Sequence, residues 1–246
     1  MCEQTESAPG TGWRGWSAYG ARRSVQAAGE WIDLTWPLSP TVPRLATFPP
    51  PRIERIASIP QQPFNATELS MVVHIGTHVD SPRHFFSDGP ALEDVPLERF
   101  IGSGVVWQID KPLGGLVEPE DFERMSPRIE PGEILVLDTG LARYVGTPDY
   151  ERHPALSVAA AEWLVDRQVK LVAVDMPTPE LPLQVRPSDF DWPVHRTLLR
   201  DGVLIAEQVT NTRSLAGQRA EFLFLPLNIV GSDGAPARVL GRPIDD

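Results

Sequence analysis

Twenty-six prolines spread through 246 residues set the first limit on the fold. Proline fixes φ and removes an N–H, so it is excluded from helix interiors and from central strands. Long helices are therefore ruled out over most of the chain, and short strands joined by irregular loops are favoured. The best helical stretch is Ser157–Arg167, where Ser157 can cap and Ala160, Ala161, Leu164 and Val165 supply an apolar face with Trp163 at its edge. Glu118–Met125, with acids in its first turn, and Val194–Leu199 read as shorter helices. Trp31–Leu34, Arg52–Ser58, Thr67–Val73, Gly104–Asp110, Glu133–Asp138, Lys170–Asp175, Val203–Val209 and Glu221–Pro226 read as strands, with Arg52–Ser58 half-buried. This order predicts an α+β fold with a mixed sheet. Residues 1–30 read as an N-terminal arm whose Trp13 and Trp16 pack on the body or on a second subunit, and residues 31–246 as one domain.

Charge narrows the function. Twenty-two Lys and Arg against 33 Asp and Glu give a formal net charge of −11, and no basic block offsets it, so nucleic acid is not an expected partner. The longest fully apolar runs, such as Leu171–Val174, are too short to span a membrane, and the first twenty residues lack a basic start followed by an apolar run. Cys2 is the one cysteine, so no intrachain disulfide forms. The expected setting is the cytoplasm.

Three of the five histidines fall in His74-Ile-Gly-Thr-His78-Val-Asp80-Ser-Pro82-Arg-His84. Positions 74, 78, 80 and 84 share parity, so an extended segment presents all four on one side. A helix would place Asp80 roughly 200° from His78, and Pro82 opposes one. Two imidazoles and a carboxylate suit Zn²⁺ or Mn²⁺ and leave positions open for water. Gly76 permits close backbone approach, and the Thr77 hydroxyl is placed to orient a ligand. His84, six residues beyond His78, is left over for proton transfer.

A second group spans His195 to Glu207. A helix, a turn at Gly202 and a strand would bring the two ends together, and Glu207, after Leu204-Ile-Ala206, is drawn toward the interior. Alone, His195 would read as a cap or surface residue and Glu207 as a strand-end charge. Asp175 is expected to accept backbone hydrogen bonds in its turn, and His153 to face solvent. Phe48, Phe85 and Phe86 are candidate walls of an apolar substrate pocket, with at least one of them packing in the core.

The His-x-Gly-Thr-His-x-Asp-x-Pro-x-His pattern resembles the metal-dependent cyclase and kynurenine formamidase family, which includes isatin hydrolases. Ile32-Asp-Leu-Thr-Trp-Pro-Leu-Ser-Pro40 looks like that family's opening strand, Val174-Asp-Met-Pro177 like its Asp-x-Pro turn, and His195 to Glu207 has its second His-to-acid spacing. The resemblance implies a mixed β-barrel with flanking helices, in a swivelling β/β/α arrangement. It implies that His74, His78 and Asp80 hold one divalent metal, that Asp80 bridges to a second held by His195 and Glu207, and that His84 is the acid/base. It also implies a homodimer or homotetramer acting on a small molecule. One departure stands out: where the family carries a Val-Trp-Pro-Gly-Asp-like segment, this chain reads Pro43-Arg-Leu-Ala-Thr-Phe-Pro-Pro50, so the aromatic is missing or displaced. The expected activity is hydrolysis of a formamide, cyclic amide or imide by a metal-activated water. Lactone hydrolysis, biosynthetic cyclisation or dehydration on the same site, and non-catalytic binding are the alternatives.

Overall fold

The computed structural model describes residues 12–16 and 29–245. Cys2 and most of the N-terminal arm lie outside the described residues. Twelve strands occur in the order β1 (Ile32–Asp33), β2 (Arg52–Ala57), β3 (Ala66–Ser70), β4 (His78–Asp80), β5 (Ile101–Gln108), β6 (Leu116–Val117), β7 (Ile134–Asp138), β8 (Ala155–Leu156), β9 (Leu171–Val174), β10 (Leu204–Glu207), β11 (Arg219–Pro226) and β12 (Gly234–Pro243). Three α-helices accompany them: α1 (Pro119–Glu123), α2 (Val158–Asp166) and α3 (Pro193–Arg200).

Seven strands close into a barrel in the order β12-β11-β5-β7-β9-β10-β4, with β4 pairing back onto β12. Strands β5, β7, β9 and β10 run parallel to one another, and the remaining pairings are antiparallel. The barrel is therefore mixed, and β1 extends it along β12. Alternation along each strand divides the core in two. Val106, Ile134, Val136, Leu171, Ala173, Leu204 and Ala206 point into the barrel. Val105, Trp107, Leu135, Leu137, Val172, Val174 and Ile205 point outward, where Phe122 of α1, Leu164 of α2 and Leu198 of α3 cover them. The parallel strands are apolar on both faces because both faces are covered.

The expected helices form where the apolar spacing placed them, and the Ser157 side chain accepts a hydrogen bond from the Ala160 amide at 3.0 Å, capping α2. Two expectations change. β2 and β3 make a separate hairpin whose residues are almost all exposed, not half-buried. β12, the longest strand, was not expected, because Pro236, Gly241 and Pro243 interrupt its apolar alternation. Trp13 and Trp16 pack on the body: Trp13 joins the outer core, and Arg99 lies 4.4 Å from the ring centre of Trp16.

Candidate active site

The site is built on the outer face of β4, where the barrel closes. Val79 fills the barrel interior, so His78 and Asp80 turn outward. The antiparallel register sets Glu207 of β10 directly across from His78, on the same face. Helix α3 buries Val194, His195, Leu198 and Leu199 against this wall, which brings the His195 ring over both carboxylates. His195 belongs to the buried stripe of its helix and is neither a cap nor a surface group.

Both inner imidazoles are aimed by the far side of the ring. His78 Nδ1 donates to the Gly76 carbonyl at 2.7 Å, turning Nε2 toward Asp80 and Glu207, each 3.4 Å away. His195 donates twice to Glu180 Oε1, from its backbone amide at 2.8 Å and from Nδ1 at 3.0 Å. Its Nε2 then lies 3.2 Å from Glu207 and 3.7 Å from Asp80. Gly76 adopts φ +66°, and a side chain there would strike Val42.

Two atoms in this cluster, His78 Nε2 and Asp80 Oδ2, are buried without a hydrogen-bond partner. Orphaned buried polar atoms are costly unless something pairs with them. His74, His78 and Asp80 each bring a donor atom within 4.8 Å of the others, close enough to share one cation, and Glu207 and His195 add donors 3.2–3.7 Å from this group or from each other. Nitrogen and oxygen donors gathered this closely, two of them unpaired, fit a divalent cation.

The titration pattern agrees. Burial pushes the Asp80 carboxyl up, but the charge and hydrogen bond of His74 and the nearby rings of His195 and His78 outweigh it and hold Asp80 well below its usual range. Glu207 is likewise lowered by His195 and His78 against its burial. His195 is raised despite full burial, by Asp80, Glu180 and Glu207. His74 rises to about 10: burial opposes the shift, and Asp80 and Asp233 drive it. The carboxylates draw protons onto the rings, as expected of a pocket short of positive charge.

His74 and His84 arrive differently from what parity suggested. Only His78–Asp80 is strand; His74 sits in a turn, and His84 ends the 3-10 turn Pro82–His84. Their rings nevertheless stack, with centres 4.0 Å apart and planes at 27°. His74 lies between two acids, with Nδ1 2.7 Å from Asp80 and Nε2 2.8 Å from Asp233. Asp233 also takes His84 Nδ1 at 3.2 Å, and these two contacts hold its carboxyl far below the usual range. His84, the more exposed ring, keeps Nε2 for the cavity. Gly234 lets β12 pass His74, since a side chain there would meet its ring.

Asp233 and Glu180 were not singled out from sequence. Asp233 stands in a Gly-Ser-Asp-Gly turn that reads only as a loop. Glu180, an acid between Pro179 and Pro182 in the loop after β9, reads as loop in the sequence, yet it is only 1% exposed. The Thr77 hydroxyl is taken up by backbone partners. It donates to the Gln208 carbonyl at 2.7 Å and accepts from the Trp36 amide at 2.9 Å, tying loops together. His153 is fully buried, not solvent-facing, because Tyr150 and the loop around it fold inward. Asp175 does accept backbone hydrogen bonds, from Thr139 and Leu141.

A cavity of about 380 Å³ opens over the cluster, walled by Phe48, Phe85, Trp192 and Arg186 beside His84 and Glu207. Phe48, from the stretch that departs from the family's pattern, lies on this wall. Phe86 packs in the outer core and is not on the wall.

Comparison with known proteins follows the same lines. Residues 32–181 match the family model described as Putative cyclase. A kynurenine formamidase of Salinibacter ruber is 33% identical over 193 residues, covering 74% of this chain and 82% of that protein. Isatin hydrolase A from Ralstonia solanacearum superposes with a TM-score of 0.77 at 26% identity, over 86% of this chain and 91% of that one. A potential metal-dependent hydrolase with cyclase activity gives 0.73 at 25% identity, over 88% and 99%. The chain belongs to this cyclase family.

Proposed function

We propose that this protein is a metal-dependent amide hydrolase that opens a formamide, cyclic amide or imide. The observation that carries the reading is the pair of orphaned buried atoms, His78 Nε2 and Asp80 Oδ2, held among further donors at cation-binding spacing. Support comes from relatives named for cleaving a formamide and for hydrolysing isatin.

His74, His78 and Asp80 would hold one cation, and His195 and Glu207 beside them would take part in holding a second; Zn²⁺ and Mn²⁺, as one or two ions, fit these donors. A divalent cation supplies Lewis acidity to water and to the scissile carbonyl. The protein's own groups do the rest. Asp233 accepts from His84 Nδ1, which fixes the ring and leaves Nε2 to take a proton from water and return it to the leaving nitrogen. Phe48, Phe85 and Trp192 exclude solvent and bind a flat substrate. Addition of water across the C–N bond gives formic acid and an amine from a formamide, a single ring-opened amino acid from a cyclic amide, and a carboxylic acid with an amide from an imide. Isoleucines on the exposed hairpin, Ile53 and Ile56, support a homodimer or homotetramer, which sedimentation checks.

The test is a panel of formanilides, isatin, lactams and lactones, assayed with elemental analysis of the purified protein. Hydrolysis of C–N substrates by the metal-loaded protein supports the reading. Turnover of lactones alone reassigns the site to ester chemistry, and a protein that takes up neither zinc nor manganese removes it.

A further inference from the structure

His84 and His195 stand on two elements that share no strand: the Pro82–His84 turn and helix α3. Their ring centres are 6.0 Å apart, a spacing set by how α3 lies against that turn. At its start α3 is held by Glu180 through His195. At its end the turn into β10 satisfies two carbonyls, with the Gly202 amide donating to Leu199 at 3.3 Å and the Val203 amide to Leu198 at 2.9 Å. The last carbonyl of the helix, Arg200, is taken from far along the chain, by the amide of Arg14 at 2.7 Å.

Residues 12–16 make more than this one contact. The Arg14 guanidinium reaches the Asp201 carboxylate at 3.3 Å. Gly202 adopts φ +80°, and a side chain there would strike the Gly15 carbonyl and Trp16. Arg99, only 2% exposed, donates to the Gly202 carbonyl at 3.0 Å, with Trp16 over its guanidinium. Trp13 and Trp16 meet edge to face, 5.3 Å between centres. Trp13 packs on the outer core, the cluster that holds Phe86, Leu198 and Leu199, and Trp16 packs on the inner one. At the other end, Gly12 passes so close to the Asp88 carboxylate that a side chain there would strike it; Asp88 lies four residues past His84. Five residues thus touch both the end of α3 and the loop that follows His84. They precede residue 32, where the family match begins.

We propose that residues 12–16 are a strap that sets the spacing of His84 and His195 by tying the end of α3 to the loop after His84. This rests on the amide-hydrolase reading of that site. Trp13, Arg14 and Trp16 are positioning residues: they reach the site only through α3 and that loop. Two indoles anchor the strap by large buried apolar faces.

The test is the full chain carrying Trp13→Ala with Trp16→Ala, beside Trp13→Phe with Trp16→Phe. Hydrogen exchange without added metal is expected to quicken about 10-fold or more at residues 198–202, while β7 and β9 keep their protection. Affinity for Co²⁺, followed by its visible absorption, falls about 10-fold. On a formanilide kcat falls with KM unchanged, because the aromatic wall stays in place. The phenylalanine pair restores most of each effect. Should the alanine pair fail to fold, Arg14→Glu, which sets like charge against Asp201, carries the same three readouts. Unchanged exchange at 198–202 overturns the proposal. So does exchange that quickens equally through the barrel with Co²⁺ affinity per folded molecule intact, the sign of tryptophans that only stabilise the fold. A wild type that hydrolyses no C–N bond, with the shift at 198–202 still present, fells the hydrolase reading and leaves the strap standing.

Discussion

Asp80 and Asp175 are both buried aspartates on barrel strand ends, and they are satisfied in opposite ways. Asp175, just past β9, accepts from the Thr139 amide at 3.1 Å, the Thr139 hydroxyl at 2.7 Å and the Leu141 amide at 2.9 Å. Burial and the charge of Asp138 raise it to about 6 in spite of those donors. Every acceptor is spoken for by groups that cannot leave. Asp80 meets only imidazoles, and its Oδ2 has no hydrogen-bond partner. The larger cavity, of about 580 Å³, lies at the Asp175 end. Size would choose the wrong site; the orphaned oxygen chooses the other. A buried acid closed off by backbone N–H groups serves the fold, and one left open to movable rings serves chemistry.

The sharpest way to break this contrast is to delete each acid. Asp80→Ala is expected to lose bound metal and at least about 10³-fold in turnover, whereas His84→Ala keeps the metal and loses about 10²- to 10⁴-fold. Unchanged metal content in Asp80→Ala by elemental analysis would contradict the ligand assignment. Asp175→Ala should do the reverse: stranded amides cost about 3 kcal/mol of unfolding free energy in urea titration, while metal content per folded molecule stays the same. A metal-free Asp175→Ala protein would erase the distinction.

Smaller effects refine it. Glu180→Gln still accepts from the His195 amide but loses the charge behind its ring. Metal affinity is expected to fall about 10- to 100-fold, read by competition with a chromogenic chelator. The last concerns His153, a fully buried ring whose Nδ1 donates to the Pro154 carbonyl at 2.7 Å. Burial lowers its pKa to about 4, from 6.5 in the open chain. The neutral ring is the folded form, so its contribution is complete above pH 6.5 and drains away as pH falls toward 4. His153→Leu should remove about 1 kcal/mol of stability change between pH 7 and 5.5. An unaltered slope in urea titrations at those two pH values would show the ring already charged.

How far the sequence carried depends on distance along the chain. The pattern from 74 to 84 named four side chains that the structure brings together, but equal parity explains only His78 and Asp80; a turn and a 3-10 turn deliver the other two rings. Glu207 and His195 were legible because a helix, a glycine turn and a strand are local devices. Asp233 was not, since it reaches His74 across 159 positions with no periodicity to announce it. β12 was hidden for a related reason: its pairing partners, not its own composition, make it a strand. His153 was misjudged because polar neighbours describe the surface of a segment and say nothing about what folds over it.

Strand β4 is three residues long, and it is the seam between β10 and β12. The last stitch that turns a curled sheet into a cylinder is thus the same piece of backbone that presents His78 and Asp80. Closure and assembly of the centre are one event, so an ion seated there would act as a rivet across the seam. Stripping it with a chelator should let hydrogen exchange quicken first along β4 and the start of β12, while the parallel strands opposite stay protected.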